Sequence, residues 1–117
     1  MRKTIKIPIY DAAIHFVITE DVQRYARSLY KKWNRIYQHE RFTADPRGLM
    51  VIQDTNTFYI IYKQSTLTHG VVAHEIYHVV EELIQHYCMT GSEEISMLIE
   101  FIHDAIYKFL NTKKVAI

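Results

Sequence analysis

The 117-residue chain has few of the residues that build loops, cross-links or disordered segments: three glycines, two prolines and one cysteine. This scarcity, together with 49% hydrophobic and 23% charged residues, excludes a low-complexity tail and predicts a single domain over residues 1–117. Cys88 stands alone and cannot form an internal disulfide, which is typical of a reducing compartment. We therefore expect a cytoplasmic protein.

The sequence also lacks a strong charge of one sign and a long apolar run. Its formal charge is +1 and its lysines and arginines are dispersed, so no attraction to nucleic acid or to a membrane is expected. No apolar run reaches membrane-spanning length, and Pro8, Asp11 and His15 interrupt the N-terminus before a signal-like segment develops. Secretion is accordingly not expected.

Hydrophobic periodicity predicts the order β-β-α-β-β-α-α. Runs rich in isoleucine, valine and aromatic residues predict two strands at 5–10 and 13–19, and a hairpin formed by 49–53 and 57–63. The first helix is predicted to begin after Thr19 as its N-cap and to continue to about residue 38. This is the pattern of an α+β domain whose small antiparallel or mixed sheet is covered by three helices.

The second and third helices follow the hairpin. Thr66 or Thr68 can cap the second, which the periodicity continues to about Cys88. Ser92 can cap the third, which is predicted to end near Leu110.

The second predicted helix carries the segment HEIYH at positions 74–78. Residues four apart lie on the same face of a helix, so the imidazoles of His74 and His78 can bind one cation. Glu75 lies about 100° further round the helix, near a water bound to that cation, which is where a general base is needed. The motif predicts a zinc site, and the alternative is an ordinary solvated face of an amphipathic helix.

A catalytic zinc takes three protein ligands and leaves its fourth position to water. Glu81 stands where the motif with a third histidine would require glycine, so a carboxylate from the next helix is the remaining choice. Glu93, Glu94 and Glu100 are the candidates, and helical projection places Glu94 nearest to the apolar stripe. Periodicity alone does not choose among them.

The run THGVVAHEIYHVVEELIQHY, followed by SEEISMLIEFIHDAIY, resembles the glutamate-ligand zincins, or gluzincins. It looks most like small phage-encoded proteins assigned as zinc metallopeptidases, and the opening IPIYDAAIHFVIT is similar to the first strand pair of that group. There the motif helix is followed by a helix that opens with a glutamate ligand, two variable residues, a small residue, an aromatic and a leucine. Aligning Leu98 with that leucine places Glu93 at the ligand, although Ser96 and Met97 depart from the usual residues.

The resemblance implies a minimal zincin-like metallopeptidase domain that cleaves peptide bonds with Zn²⁺ as cofactor. It implies His74, His78 and Glu93 as metal ligands and Glu75 as general base. It also implies that the protein acts in the cytoplasm of a phage-infected bacterial cell. An edge strand, for which we expect residues 57–63, would align an extended substrate from a single intracellular target. The alternative is a non-catalytic phage protein that retains a zinc-binding zincin fold and binds a host or virion protein.

Overall fold

The computed structural model describes residues 1–37 and 46–117. This part of the chain contains four strands and three α-helices, in the predicted order and of the predicted α+β class. Their bounds are β1 (Arg2–Ile7), β2 (Ala12–Thr19), α1 (Val22–Lys32), β3 (Gly48–Asp54), β4 (Thr57–Lys63), α2 (His69–Tyr87) and α3 (Ser92–Thr112). Short 3-10 turns, Pro8–Tyr10 and Gln64–Thr66, follow β1 and β4.

The four strands form one mixed sheet in the order β1-β2-β4-β3. β1 is antiparallel to β2 and β3 is antiparallel to β4, whereas β2 and β4 are parallel neighbours. A parallel pair requires a long crossover connection, and this one includes α1. The expectation that residues 57–63 form an edge strand is wrong, because β4 pairs on both sides and β3 is the edge beyond it.

Successive side chains of each strand point to opposite faces of the sheet, which divides the core into two layers. On one face of the sheet, Phe16 and Ile60 belong to the larger core, which is shared with α2 and α3. On the other face, Val17 and Ile61 belong to a smaller core that α1 completes with Leu29. The HEIYH helix and α1 therefore cover opposite faces of the sheet.

The first helix is shorter than predicted at both ends. Asp21 caps it instead of Thr19, because its Oδ1 accepts the backbone N–H of Arg24 at 3.0 Å. The helix ends at Lys32, since Asn34 turns into the left-handed region with a φ of 59°. Position 38, where the helix was predicted to end, lies outside the described residues.

The other two helices meet the predictions more closely. Thr68 is the N-cap of α2, and its Oγ1 accepts the N–H of Val71 at 3.2 Å. Gly91 is the N-cap of α3, so Ser92 is the first helical residue and not its cap.

Among the described helices, none combines the length and the apolar character that crossing a membrane requires.

Candidate metal and catalytic site

The two histidines of the HEIYH segment lie against each other on α2. Nε2 of His74 is 3.1 Å from Nε2 of His78, and the two ring planes are inclined by 82°. Two nitrogens bound to one tetrahedral zinc at 2.0–2.1 Å would lie roughly 3.3–3.4 Å apart. The pair therefore fits two positions around a zinc ion, and it can alternatively share one N–H···N hydrogen bond.

A carboxylate lies on the far side of the second imidazole. Oε1 of Glu81 is 4.0 Å from Nδ1 of His78, and both side chains are about half exposed. This separation is longer than a hydrogen bond and open to solvent, so the contact between Glu81 and His78 is weak. The spacing of Glu81, three residues after His78, could have indicated this contact from the sequence.

Glu75 is buried, with 6% of its surface exposed. The structure turns this side chain toward the sheet, where β3 covers it. Its Oε1 is 3.9 Å from Nε2 of His74, and the backbone N–H of Met50 donates a hydrogen bond to the carboxylate.

Burial is the main influence on the protonation of Glu75. Loss of hydration raises the pKa of the carboxyl, while His74, His78 and the N–H of Met50 oppose that rise. A dry carboxyl beside two imidazoles is the environment in which enzymes place a general acid or base.

Gly48 opens β3 directly against Glu75. A Cβ at this position would lie 3.0 Å from Cγ of Glu75 and 3.2 Å from Cδ1 of Tyr62, closer than ordinary van der Waals contact. The φ of Gly48 is not positive, so the position needs glycine for space and not for an unusual backbone conformation. The sequence gave no sign that this glycine touches Glu75.

We predict that Gly48→Ala lowers the free energy of unfolding by about 1–3 kcal/mol, because the added methyl must displace buried side chains. Gly70→Ala is the matched control, since Gly70 borders the same cleft and its added Cβ would meet only Oγ1 of Thr68 at 3.9 Å. Alanine inside α2 should instead be neutral or stabilising by up to about 1 kcal/mol. Urea denaturation of both variants measures the difference, and equal effects would contradict the close approach of Gly48.

Tyr62 forms the floor under Glu75 and Gly48. It is fully buried on β4, and its hydroxyl donates a 2.7 Å hydrogen bond to the backbone carbonyl of Val72 on α2. Burial strongly raises the pKa of Tyr62, and the nearby charge of Glu75 raises it further. The hydroxyl therefore stays protonated and fixes α2 against the sheet at the level of the motif.

Tyr62→Phe is expected to lower the free energy of unfolding by about 0.5–1.5 kcal/mol, because it removes a buried hydrogen bond and leaves the ring in place. Tyr77→Phe is the control, since Tyr77 lies on α2 but is 60% exposed. Chemical denaturation should show no measurable change for the control. A loss of similar size in both variants would argue against the role of the Tyr62 hydroxyl.

A cleft of about 340 Å³ opens beside Glu75. The approach to β3 forms one wall and the first turns of α2 form the other, through Pro46, Arg47, Gly48, Thr68, Gly70, Val71, His74 and Glu75. Gly70 and His74 both line this cleft. Arg47 is a cation in the cleft that the sequence did not single out.

The predicted third ligand lies elsewhere in the described structure. Glu93 and Glu94 line a separate apolar groove of about 580 Å³, together with Ile7, Pro8, Tyr10, Met97, Leu98 and Phe101. The carboxylate of Glu94 accepts a hydrogen bond from the hydroxyl of Tyr10. Within residues 1–37 and 46–117, no three His, Cys, Asp or Glu side chains are grouped so that they could hold a metal ion. The structure thus brings His74, Glu75 and His78 together, and Glu93 as a ligand stays a prediction.

Two further residues near the motif have roles outside this cluster. Tyr77 is 60% exposed and lies outside the core. Nδ1 of His69 lies 2.7 Å from the hydroxyl of Tyr107 on α3, and the two rings stack at 14°. His69 therefore joins α2 to α3.

Comparisons with protein-family models, with curated proteins and with solved structures found no match for this chain. The resemblance to gluzincins therefore depends on the residues of the HEIYH segment and of the helix after it. What supports a function is the local geometry of His74, Glu75 and His78.

Proposed function

We propose that this protein is a zinc-dependent hydrolase of peptide bonds in which His74 and His78 bind the metal and Glu75 is the general base. The observation that carries the proposal is the 3.1 Å separation of the two Nε2 atoms, with a buried carboxyl oxygen 3.9 Å from one of them. In this proposal water takes the fourth position, and Glu93, which the resemblance implies as the third ligand, would have to move from the separate groove that it lines in the described structure.

Zinc bound by these histidines would polarise the substrate carbonyl and acidify the attacking water. Glu75 takes a proton from that water as its oxygen adds to the carbonyl carbon. The same carboxyl returns the proton to the amine nitrogen when the C–N bond breaks. Burial raises the pKa of Glu75, which brings its acidity closer to that of the attacking water and of the leaving amine with which it exchanges protons. The N–H of Met50 holds the carboxylate in place.

β3 is the strand best placed to hold a substrate. It pairs with β4 on one side only, and Gly48 and Met50 both contact Glu75. Glu75 already accepts the N–H of Met50, and Arg35 donates to the carbonyls of Ile52 and Gln53, so an extended peptide would add only at the Gly48 end of this edge, beside the cleft. A domain of this size favours one intracellular protein target in a phage-infected bacterial cell over a broad range of substrates.

The proposal is tested by incubating the purified protein with an extract of the producing cells, with added zinc or with a chelator, and identifying new peptide termini by mass spectrometry. We expect cleavages that appear with zinc and are absent with the chelator. The same set of termini in both samples would contradict zinc-dependent hydrolysis.

Glu93→Ala is expected to weaken zinc binding at least about 10-fold more than Glu94→Ala. The alignment on Leu98 selects Glu93, and Glu94 is already engaged by the Tyr10 hydroxyl. Parallel zinc titrations of the two variants compare them directly. A larger loss in Glu94→Ala would show that the alignment is shifted by one residue.

A second candidate is a non-catalytic protein that retains this fold and binds a host or virion protein. One observation favours it: the described residues assemble two histidines and a buried glutamate but no third ligand. Under this alternative, the buried carboxyl of Glu75 contributes to structure alone, and its conversion to an amide would leave partner binding unchanged.

A further inference from the structure

Charged residues are segregated between the two layers that cover the sheet. α1 carries four basic residues, Arg24, Arg27, Lys31 and Lys32, and no acidic residue. α2 and α3 together carry seven acidic residues and one lysine, Lys108. With neutral histidines, the residues of α1 are formally +4, or +2 with the exposed Glu20 and Asp21 at its start, and the α2–α3 layer is −6, although the whole chain is only +1.

The net charge therefore does not describe the electrostatic field at either surface. The screening length at physiological ionic strength is about 8 Å, whereas helices on opposite faces of a sheet lie roughly 20 Å apart. A polyanion at the surface of α1 would experience the positive charges there and little of the opposite layer.

Two arginines near the end of α1 are held by neutral groups. The guanidinium of Arg2 lies 5.6 Å from the ring centroid of Tyr59, and its Nη2 lies 3.4 Å from Nδ1 of His15. The guanidinium of Arg35 lies 5.4 Å from the ring of Trp33 and donates to two backbone carbonyls of β3 at 3.2 and 2.6 Å. The Trp33 and Tyr59 rings are 5.5 Å apart, so the four side chains form a continuous row.

These partners orient the arginines without neutralising them. No carboxylate of the described residues forms an ion pair with Arg2 or Arg35. A guanidinium above an aromatic ring keeps its charge and loses side-chain freedom before any ligand arrives, which reduces the entropic cost of binding an anion. Lys31 and Lys32, both exposed, add two charges immediately before Trp33.

We infer that this basic face, defined by Arg2, Lys31, Lys32, Trp33 and Arg35, binds the phosphate backbone of single-stranded nucleic acid without reading its sequence. Guanidinium and ammonium groups are the side chains that recognise phosphate, and the backbone of a flexible single strand can follow them; the Trp33 and Tyr59 rings are already in contact with the arginines and serve to orient them. A membrane is less well matched, because the apolar side of α1 is buried against the sheet and cannot insert. The inference departs from the expectation drawn from net charge, and it is independent of hydrolysis.

The test uses fluorescence anisotropy of a labelled oligothymidylate of about 20 nucleotides at about 50 and 200 mM NaCl. The wild type should bind, and binding should weaken steeply with salt. The variant Arg2→Gln/Lys31→Gln/Lys32→Gln should bind at least about 10-fold more weakly at the lower salt, and the slope of log K against log salt should fall by about 2. This triple variant spares Arg35, whose hydrogen bonds to β3 support the fold.

The matched control is Lys108→Gln/Lys113→Gln/Lys114→Gln, which removes the same charge at the end of α3 and should change the affinity by less than about 2-fold. Circular dichroism establishes that both triple variants are folded. Absence of binding by the wild type, or equal losses in both triple variants, would overturn the inference. Binding to phosphatidylserine vesicles but not to the oligonucleotide would also overturn it. Self-association that weakens with salt in sedimentation, without oligonucleotide binding, would do the same. A zinc chelator should leave oligonucleotide binding unchanged.

Discussion

A Glu75→Gln variant is expected to keep its fold and its zinc and to lose hydrolysis by about 10²- to 10⁴-fold. The amide oxygen can still accept the N–H of Met50, but it cannot take a proton from water. Burial raises the pKa of Glu75, so an uncharged amide enters a site that already disfavours charge. The free energy of unfolding should therefore change by no more than about 1 kcal/mol.

The variant and the wild type are compared by the peptide termini that each produces in a cell extract. Glu82→Gln is the control, because Glu82 lies on the same helix outside the cleft, and its substitution removes the same charge. The control should produce the wild-type cleavages, and Glu75→Gln should produce none of them. If Glu75→Gln cleaves the same sites at the same rate, Glu75 is not the base.

His78→Ala is expected to reduce bound zinc from about one ion per chain to almost none, because it removes one of the two imidazoles that converge on the site. His74→Ala should have the same effect. The side chain of His78 is 41% exposed, so its removal should change stability by only about 0.5 kcal/mol. Loss of zinc would then report on the ligand and not on unfolding.

Elemental analysis after mild dialysis measures this loss, with circular dichroism as the check on folding. His86→Ala removes an exposed histidine near the end of the same helix, and Cys88→Ser removes the chain's one thiol. Both controls should retain zinc. Retention of zinc by His78→Ala would contradict the two-histidine site, as would a wild type without any transition metal.

The order of the elements could be predicted because each strand and helix has the hydrophobic period of its own structure. The position of β4 in the sheet was predicted wrongly, although its sequence contained the signal. TFYIIYK is almost continuously apolar, which is typical of a strand buried on both faces and not of an edge. The neighbouring GLMVIQD, with more polar and exposed positions, is the edge strand.

The motif residues could be identified from spacing alone, but the burial of Glu75 could not. A helical projection compares residues within one helix and contains no information about the strand that covers it. Gly48 determines how closely β3 approaches, and it is separated from Glu75 by 27 positions. The same limit applies to Tyr62 and Met50, whose contacts with the motif helix exist only after the sheet has formed.

The expectation that lysines and arginines are dispersed is wrong locally. Basic residues form one block at 24–35 and acidic residues another at 75–104, so their charges cancel only in the total. Only the crossover that places α1 on one face of the sheet and α2 and α3 on the other converts those blocks into two surfaces of opposite sign.

X-ray absorption at the zinc edge of the purified protein tests whether His74 and His78 hold one zinc ion. Imidazole rings give a characteristic multiple-scattering pattern, so the number of histidine ligands can be counted. We expect two imidazole nitrogens at about 2.0–2.1 Å, with oxygen ligands at about 2.0–2.2 Å completing the shell. A zinc ion with no imidazole or only one, or with sulfur from Cys88 among its ligands, would contradict it.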